Sequence, residues 1–177
     1  MNKIRLRVFL GNCVYASTGE WVDLPMDKNK LTEVTNTIFK KYGETIISSH
    51  EIIDEYISDL YISQYDDIFE LNDILSKSDD FIALYIYSDN DFEFAENFLK
   101  SKRYLFFKGV TNLEELGEAV VNKKLIGYVP QNLIDSGYID FEQIGHDFNC
   151  NGIRFFNGLG AIGQISETNY QKWKNVI

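Results

Sequence analysis

Three observations predict an α+β fold with small antiparallel sheets and several helices. Alternating apolar and polar residues mark short strands near both ends of the chain. Apolar residues at helical spacing lie between and beside them. Turn signals punctuate these elements, with no Pro/Gly/Ser linker and no fixed-period repeat. A length of 177 residues suits one domain or a few small consecutive ones, and 45% hydrophobic content supports a core.

At the start, Ile4, Leu6 and Val8 alternate with Lys3, Arg5 and Arg7, which is strand periodicity. Asn12 to Gly19 reads as a polar loop, and Glu20 to Leu24 as a second strand ending at Pro25. Asp27 is placed to cap a helix over 28–41, with Leu31, Val34 and Ile38 on one face and Gly43 as its stop. Thr45 to Ile53 is a strand able to pair back, making residues 1–60 a small α/β unit.

In the middle, Ile68, Leu71, Ile74 and Leu75 fall at helical spacing, as do Phe92, Ala95, Glu96 and Leu99. Asp89 is read as the cap of that later helix. Phe81 to Tyr87 is ambiguous, because its β-branched and aromatic content suits a strand and its length suits a short buried helix. Further on, Tyr104 to Phe107 reads as a strand, and Asn112 caps a helix through Val121. Glu114, Glu115 and Glu118 lie toward the positive end of that helix. Pro130 opens a short helix, and Asp140 to Phe148 forms another. Ile153 to Phe156, the turn Asn157-Gly158, and Ala161 to Ile165 signal a hairpin.

Charge narrows the function. The chain holds 27 acidic and 17 basic side chains, a formal net charge of −10. Such a balance argues against binding nucleic acid by phosphate neutralisation and against an anionic membrane as partner. Abundant aromatics (13 Phe, 11 Tyr) separate it from disordered acidic tails. Residues 1–43 are net +3, residues 44–99 net −14 and residues 100–177 net +1. Between 44 and 99 there are 15 acids and a single base, Lys77, with apolar residues interleaved throughout. This pattern fits either a folded, solvated acidic face or a surface that imitates a polyanion.

Catalytic and ligand motifs are weak. Gly158-Leu-Gly160-Ala-Ile-Gly163 matches a dinucleotide fingerprint, but the required helix and later acid are missing, and the hairpin explains the glycines. Asp89-Asn90-Asp91 begins like a calcium loop, yet Phe94 and Lys100 stand where Gly and Glu are needed. His50-Glu51 lacks the second histidine of a zinc helix. Cys13 or Cys150 with His146 are conceivable nucleophile partners without local context. Two cysteines make no disulfide framework and suggest a reducing compartment. The longest apolar run is seven residues, too short for a membrane span. A cytoplasmic protein without cofactor or metal is expected, and not an enzyme.

Three stretches together resemble the ArdA antirestriction family. The first runs from Val8 to Tyr15 and on through Gly19-Glu-Trp21-Val-Asp-Leu-Pro25. It is similar to that family's opening strand, asparagine-containing loop and second strand. The second is Tyr65 to Leu75, where Ile68-Phe69-Glu70-Leu71-Asn72 resembles the start of the middle domain. The third and most specific is Gly127-Tyr-Val-Pro130 followed by Tyr138, Asp140, Glu142, Gly145 and Asp147. His146 stands where the family commonly has Arg.

This resemblance implies three small domains in a row: an N-terminal α/β domain over 1–60, an acidic and mainly helical one over 61–102, and a C-terminal α+β domain over 103–177. It implies an elongated homodimer joined through the last domain. Phe81 to Tyr87 becomes a helix on this reading. It further implies an acidic imitation of B-form DNA that occupies the DNA groove of a type I restriction–modification enzyme, without binding nucleic acid itself. The family is usually acidic throughout, whereas the first segment here is basic and the last nearly neutral. The imitating surface is therefore expected on Glu51, Asp54, Glu55, Asp59, Asp66, Asp67, Glu70, Asp73, Asp79, Asp80, Asp89, Asp91, Glu93 and Glu96. The alternatives are inhibition of another defence enzyme such as a CRISPR effector, or an acidic protein-interaction module that does not imitate DNA.

Overall fold

The computed structural model describes residues 4–149 and 152–173, so Cys150 lies outside the described residues. The chain divides into two compact units, residues 1–82 and 83–177. Eight α-helices and two three-stranded antiparallel sheets make up the described residues, the α+β class expected from the sequence.

The first unit is built on β1 (Leu6–Asn12), the central strand of a sheet whose neighbours are β2 (Gly19–Leu24) and β3 (Thr45–Ile52). Alternation decides its two faces. Leu6, Val8 and Leu10 are buried, and across from them on β2 lie Leu24 and Val22, also buried. Helix α1 (Lys28–Tyr42) contacts β1 and β2, with Leu31 and Ile38 buried. Asp27 caps it through the amides of Asn29 and Lys30. Arg7 and Phe9 point to the other face. Arg7 lies between Asp23 and Glu51, and the Phe9 and Trp21 rings meet edge-on at 5.3 Å. The strand starts at Leu6, two residues later than the alternation suggests, and Ile4 is exposed.

Asn12 orders the loop that follows β1. Its Oδ1 accepts from the Val14 and Tyr15 amides, and its Nδ2 donates to the Tyr42 carbonyl at the end of α1. Buried Asn72 performs a similar task in α2 (Ile68–Leu75). It accepts from the Met26 amide at 2.8 Å and donates to the Met26 carbonyl at 3.1 Å, fastening α2 to the segment after β2.

Helix α3 (Asp79–Tyr87) resolves the ambiguity of 81–87. Phe81, Ile82, Ala83, Leu84 and Ile86 are all buried. A helix buried all round has no polar stripe, and so shows no periodicity in sequence. The boundary between the two units falls within it. Helix α4 (Phe92–Ser101) is capped by Asp91, not by Asp89. Asp89 sits at φ 57° in the turn before it, whereas Asp91 has the extended backbone a cap requires.

The second unit contains β4 (Tyr104–Lys108), α5 (Leu113–Asn122), α6 (Gln131–Asp135), α7 (Phe141–Asn149), β5 (Arg154–Phe156), β6 (Gly160–Gln164) and α8 (Glu167–Trp173). Its sheet has the order β4-β6-β5, with the hairpin where the glycine-rich motif lies. Strand β6, not a helix, carries Gly160 and Gly163. Leu105, Phe107, Leu116, Val120, Leu125, Phe148 and Trp173 form the core. Helix α8 was not read from the sequence. Ser166 begins it by accepting from the Asn169 amide, and Trp173 anchors it with an indole bond to the Leu125 carbonyl.

Helices α5 and α7 cross backbone to backbone at two glycines. A Cβ on Gly117 would stand 1.9 Å from the Phe141 carbonyl oxygen, and one on Gly145 would stand 1.8 Å from that of Leu113. Neither contact yields to a side-chain rotation. Gly117→Ala or Gly145→Ala must push the helices apart, at an expected cost of about 1–3 kcal/mol or more. Thermal denaturation should show each variant melting several degrees below the parent. An unchanged midpoint would contradict this crossing.

Candidate functional site

The fold sorts the 14 expected surface acids into distinct situations. Six of them have a cation within ion-pair distance. Arg5 reaches Asp79 at 2.6 Å and Asp54 at 3.7 Å, and Arg7 reaches Glu51 at 3.6 Å. Lys28 approaches Asp73, Lys100 approaches Glu96, and Arg154 approaches Asp89. Asp54 is also buried, at 9% exposure, where it caps a 3₁₀ turn over Glu55–Ile57. It offers no charge to a partner.

Asp59 is exposed and Asp80 half-buried. A last group comprises Glu55, Asp66, Asp67, Glu70, Asp91 and Glu93. All six are exposed, and among the described residues none has a cation at ion-pair distance. Within the first unit, Asp66, Asp67 and Glu70 lie close in sequence at the start of α2.

Helix starts explain how so many acids fold together. Asp67 and Glu70 flank the first turn of α2, Asp79 and Asp80 open α3, and Asp91 and Glu93 open α4. Each carboxylate faces the positive end of its own helix, worth about 0.3–1 kcal/mol for an exposed group. Asp67 accepts from the Phe69 amide at 2.7 Å, and Asp91 from that of Phe94 at 2.8 Å. Asp66 accepts from the Ser63 amide at 2.8 Å. These bonds fix carboxylate positions without neutralising them.

The family-motif residues gather around α6 and α7. Tyr138 is 88% exposed, Asp140 accepts from the Gln143 amide, and Gly145 lies in the α5–α7 crossing. Glu142 and Asp147 are exposed. Gly117, the other half of the crossing, escaped the sequence reading, since a lone glycine inside a helix carries no partner in sequence.

Cys13 is exposed in the first unit, and His146 is exposed on α7 in the second. No group of three or more His, Cys, Asp or Glu able to hold a metal occurs among the described residues. No helix among them is long and apolar enough to cross a membrane.

The fold is thus that of an acidic α+β protein whose carboxylates are held in place at helix starts. The family model of the ArdA antirestriction proteins matches residues 16–160, most of the chain. The chain belongs to the ArdA antirestriction family, a family of inhibitors rather than enzymes, directed at restriction–modification systems. No curated protein matches it.

One buried group makes stability depend on pH. The Tyr56 hydroxyl donates to the Asp79 carbonyl at 3.1 Å, with Arg5 5.7 Å from its ring centre. Burial first, and then the Asp79 and Asp80 carboxylates, hold its pKa above the ordinary phenol value. In the unfolded chain a tyrosine ionises near pH ~10. The folded chain resists that ionisation, so this contribution is intact below about pH 10 and is lost as pH rises beyond it. Urea midpoints at about pH 8 and about pH 11 should fall further for the parent than for Tyr56→Phe. Equal falls would show that Tyr56 is not the group responsible.

Proposed function

We propose that this protein inhibits a type I restriction–modification enzyme by occupying its DNA groove with carboxylates drawn mainly from residues 44–99. The observation that carries this reading is the set of six exposed, cation-free acids, of which Asp66, Asp67 and Asp91 are held in place by backbone amides. A basic groove built for phosphates meets such a surface without the cost of bending a duplex. Duplex DNA presents about one charge per 1.7 Å. The formal −14 of this segment would match ~24 Å of duplex, and the six cation-free acids alone ~10 Å. The paired acids contribute less, because their cations travel with them. The inhibitor acts in the cytoplasm, where its target works, and needs no cofactor.

Assembly belongs to the same reading. The chain forms a homodimer through 103–177, with 1–60 and 61–102 as the preceding domains. Ile126, Tyr128, Leu133 and Tyr138, exposed by 44–88%, supply apolar area for such an interface. The stretch from 104 to 165 is net −3, which permits close approach, whereas joining through the acidic middle would set two −14 charges together.

Two measurements test this. Replacing Asp66, Asp67, Glu70 and Asp73 together by their amides should weaken inhibition of a type I enzyme several-fold or more. Asn retains the capping geometry, so folding is preserved. Any single such change should cost only about 0–1 kcal/mol of binding. A single change that abolished inhibition would point to a hot-spot residue instead of a distributed charge. Light scattering at micromolar concentration should give twice the chain mass, and a monomer there would contradict the interface.

A further inference from the structure

Beside the cation-free acids of α2 lies an open cleft of about 470 Å³, bounded by α1, the start of β3 and residues 64–69. Its lining is half apolar, Leu10, Ile46 and Ile47 included, and half polar, Thr32, Thr35 and Asn36 of α1 included. Phe39 and Tyr65 line it while 60% and 81% exposed, although aromatic rings of that size are usually covered. Asp66 and Asp67 complete the lining. The site is held in shape by the Ile47 amide, which donates to the Gln64 carbonyl, and by the Asp66 and Asp67 bonds to backbone amides. Each of those bonds uses one carboxylate oxygen, and no described cation lies within ion-pair distance of either residue.

We propose that this cleft receives a single arginine side chain from the target enzyme, a commitment that rests on reading the target as a protein with a basic DNA groove. The chemistry selects arginine. Its apolar stem suits Leu10, Ile46 and Ile47, its planar guanidinium stacks on aromatic faces, and its fork of donors suits carboxylates. A lysine offers a compact, strongly hydrated charge that gains less from aromatic flanks. The cleft adds to the distributed charge one contact defined by shape as well as by charge. Phosphate groups of DNA have no counterpart to it, so it gives the protein a contact that the substrate lacks.

The test has two arms on the full chain. In the first, amide NMR spectra are followed during titration with N-acetylarginine amide, and separately with its lysine and citrulline analogues. The arginine compound should shift Phe39, Tyr65, Asp67 and Phe69 saturably, several-fold more than the lysine one, and citrulline should shift none of them. Equal shifts from lysine, or shifts at Glu93 as large as those in the cleft, would overturn the proposal in favour of diffuse charge attraction. The second arm measures inhibition of a purified type I enzyme by Phe39→Ala, Tyr65→Ala and the double variant. These keep every charge and alter exposed residues, so circular dichroism should show unchanged folding. The double variant should inhibit at least five-fold more weakly. Full inhibition by it overturns the cleft contact and leaves the charge-based mechanism standing. No inhibition by the parent overturns the type I reading, whatever the NMR arm shows.

Discussion

Self-repulsion between acids is the constraint around which this protein is built. A segment with 15 acids and one base must still fold around an apolar core. Two devices make that possible. The net-positive opening segment lends its cations: Arg5 to Asp54 and Asp79, Arg7 to Glu51, Lys28 to Asp73. Several of the other acids, Asp67, Glu70, Asp80, Asp91 and Glu93, sit at the starts of α2, α3 and α4, where the helix ends stabilise negative charge. The basic first segment is thus in part the internal counter-charge of the acidic middle.

That arrangement divides the acids by role. Asp54 and Asp79 belong to the internal network around Arg5 and Tyr56. Asp66, Asp67 and Glu70 face solvent without a cation, and Asp66 and Asp67 line a cleft flanked by Phe39 and Tyr65. Counting carboxylates along the sequence overstates the charge available to a partner, because pairing is a property of the fold. Under the proposed competition with a phosphate backbone, the spacing and fixity of the unpaired acids matter more than the total.

Much of this was legible in the sequence. The caps at Asp27 and Asn112, the alternation around Leu6 and Val8, and the Asn157-Gly158 turn are local signals, and the elements follow them. What was not legible depends on long-range partners. The Arg5–Asp79 contact spans 74 positions, and the Asn72 clamp on Met26 spans 46. The register break between Phe9 and Leu10, where β3 carries one extra residue, leaves no local mark. Asp89 looked like a cap because Asp is a good cap residue, but a positive φ excluded it in favour of Asp91 two positions on. Which of the candidate acids remain unpaired required coordinates.

The most direct test of the mimic account is a salt series measured on one purified type I enzyme. Its affinity for this protein and for a short duplex would be followed over the same range, together with a check for simultaneous binding. DNA binding weakens steeply with salt because condensed counterions are released from the duplex. A folded carboxylate surface of lower and less regular charge density releases fewer. The account predicts mutually exclusive binding, with affinity for the protein falling less steeply than affinity for DNA, so that inhibition gains on DNA as salt rises. A stable complex containing enzyme, duplex and this protein together would contradict it.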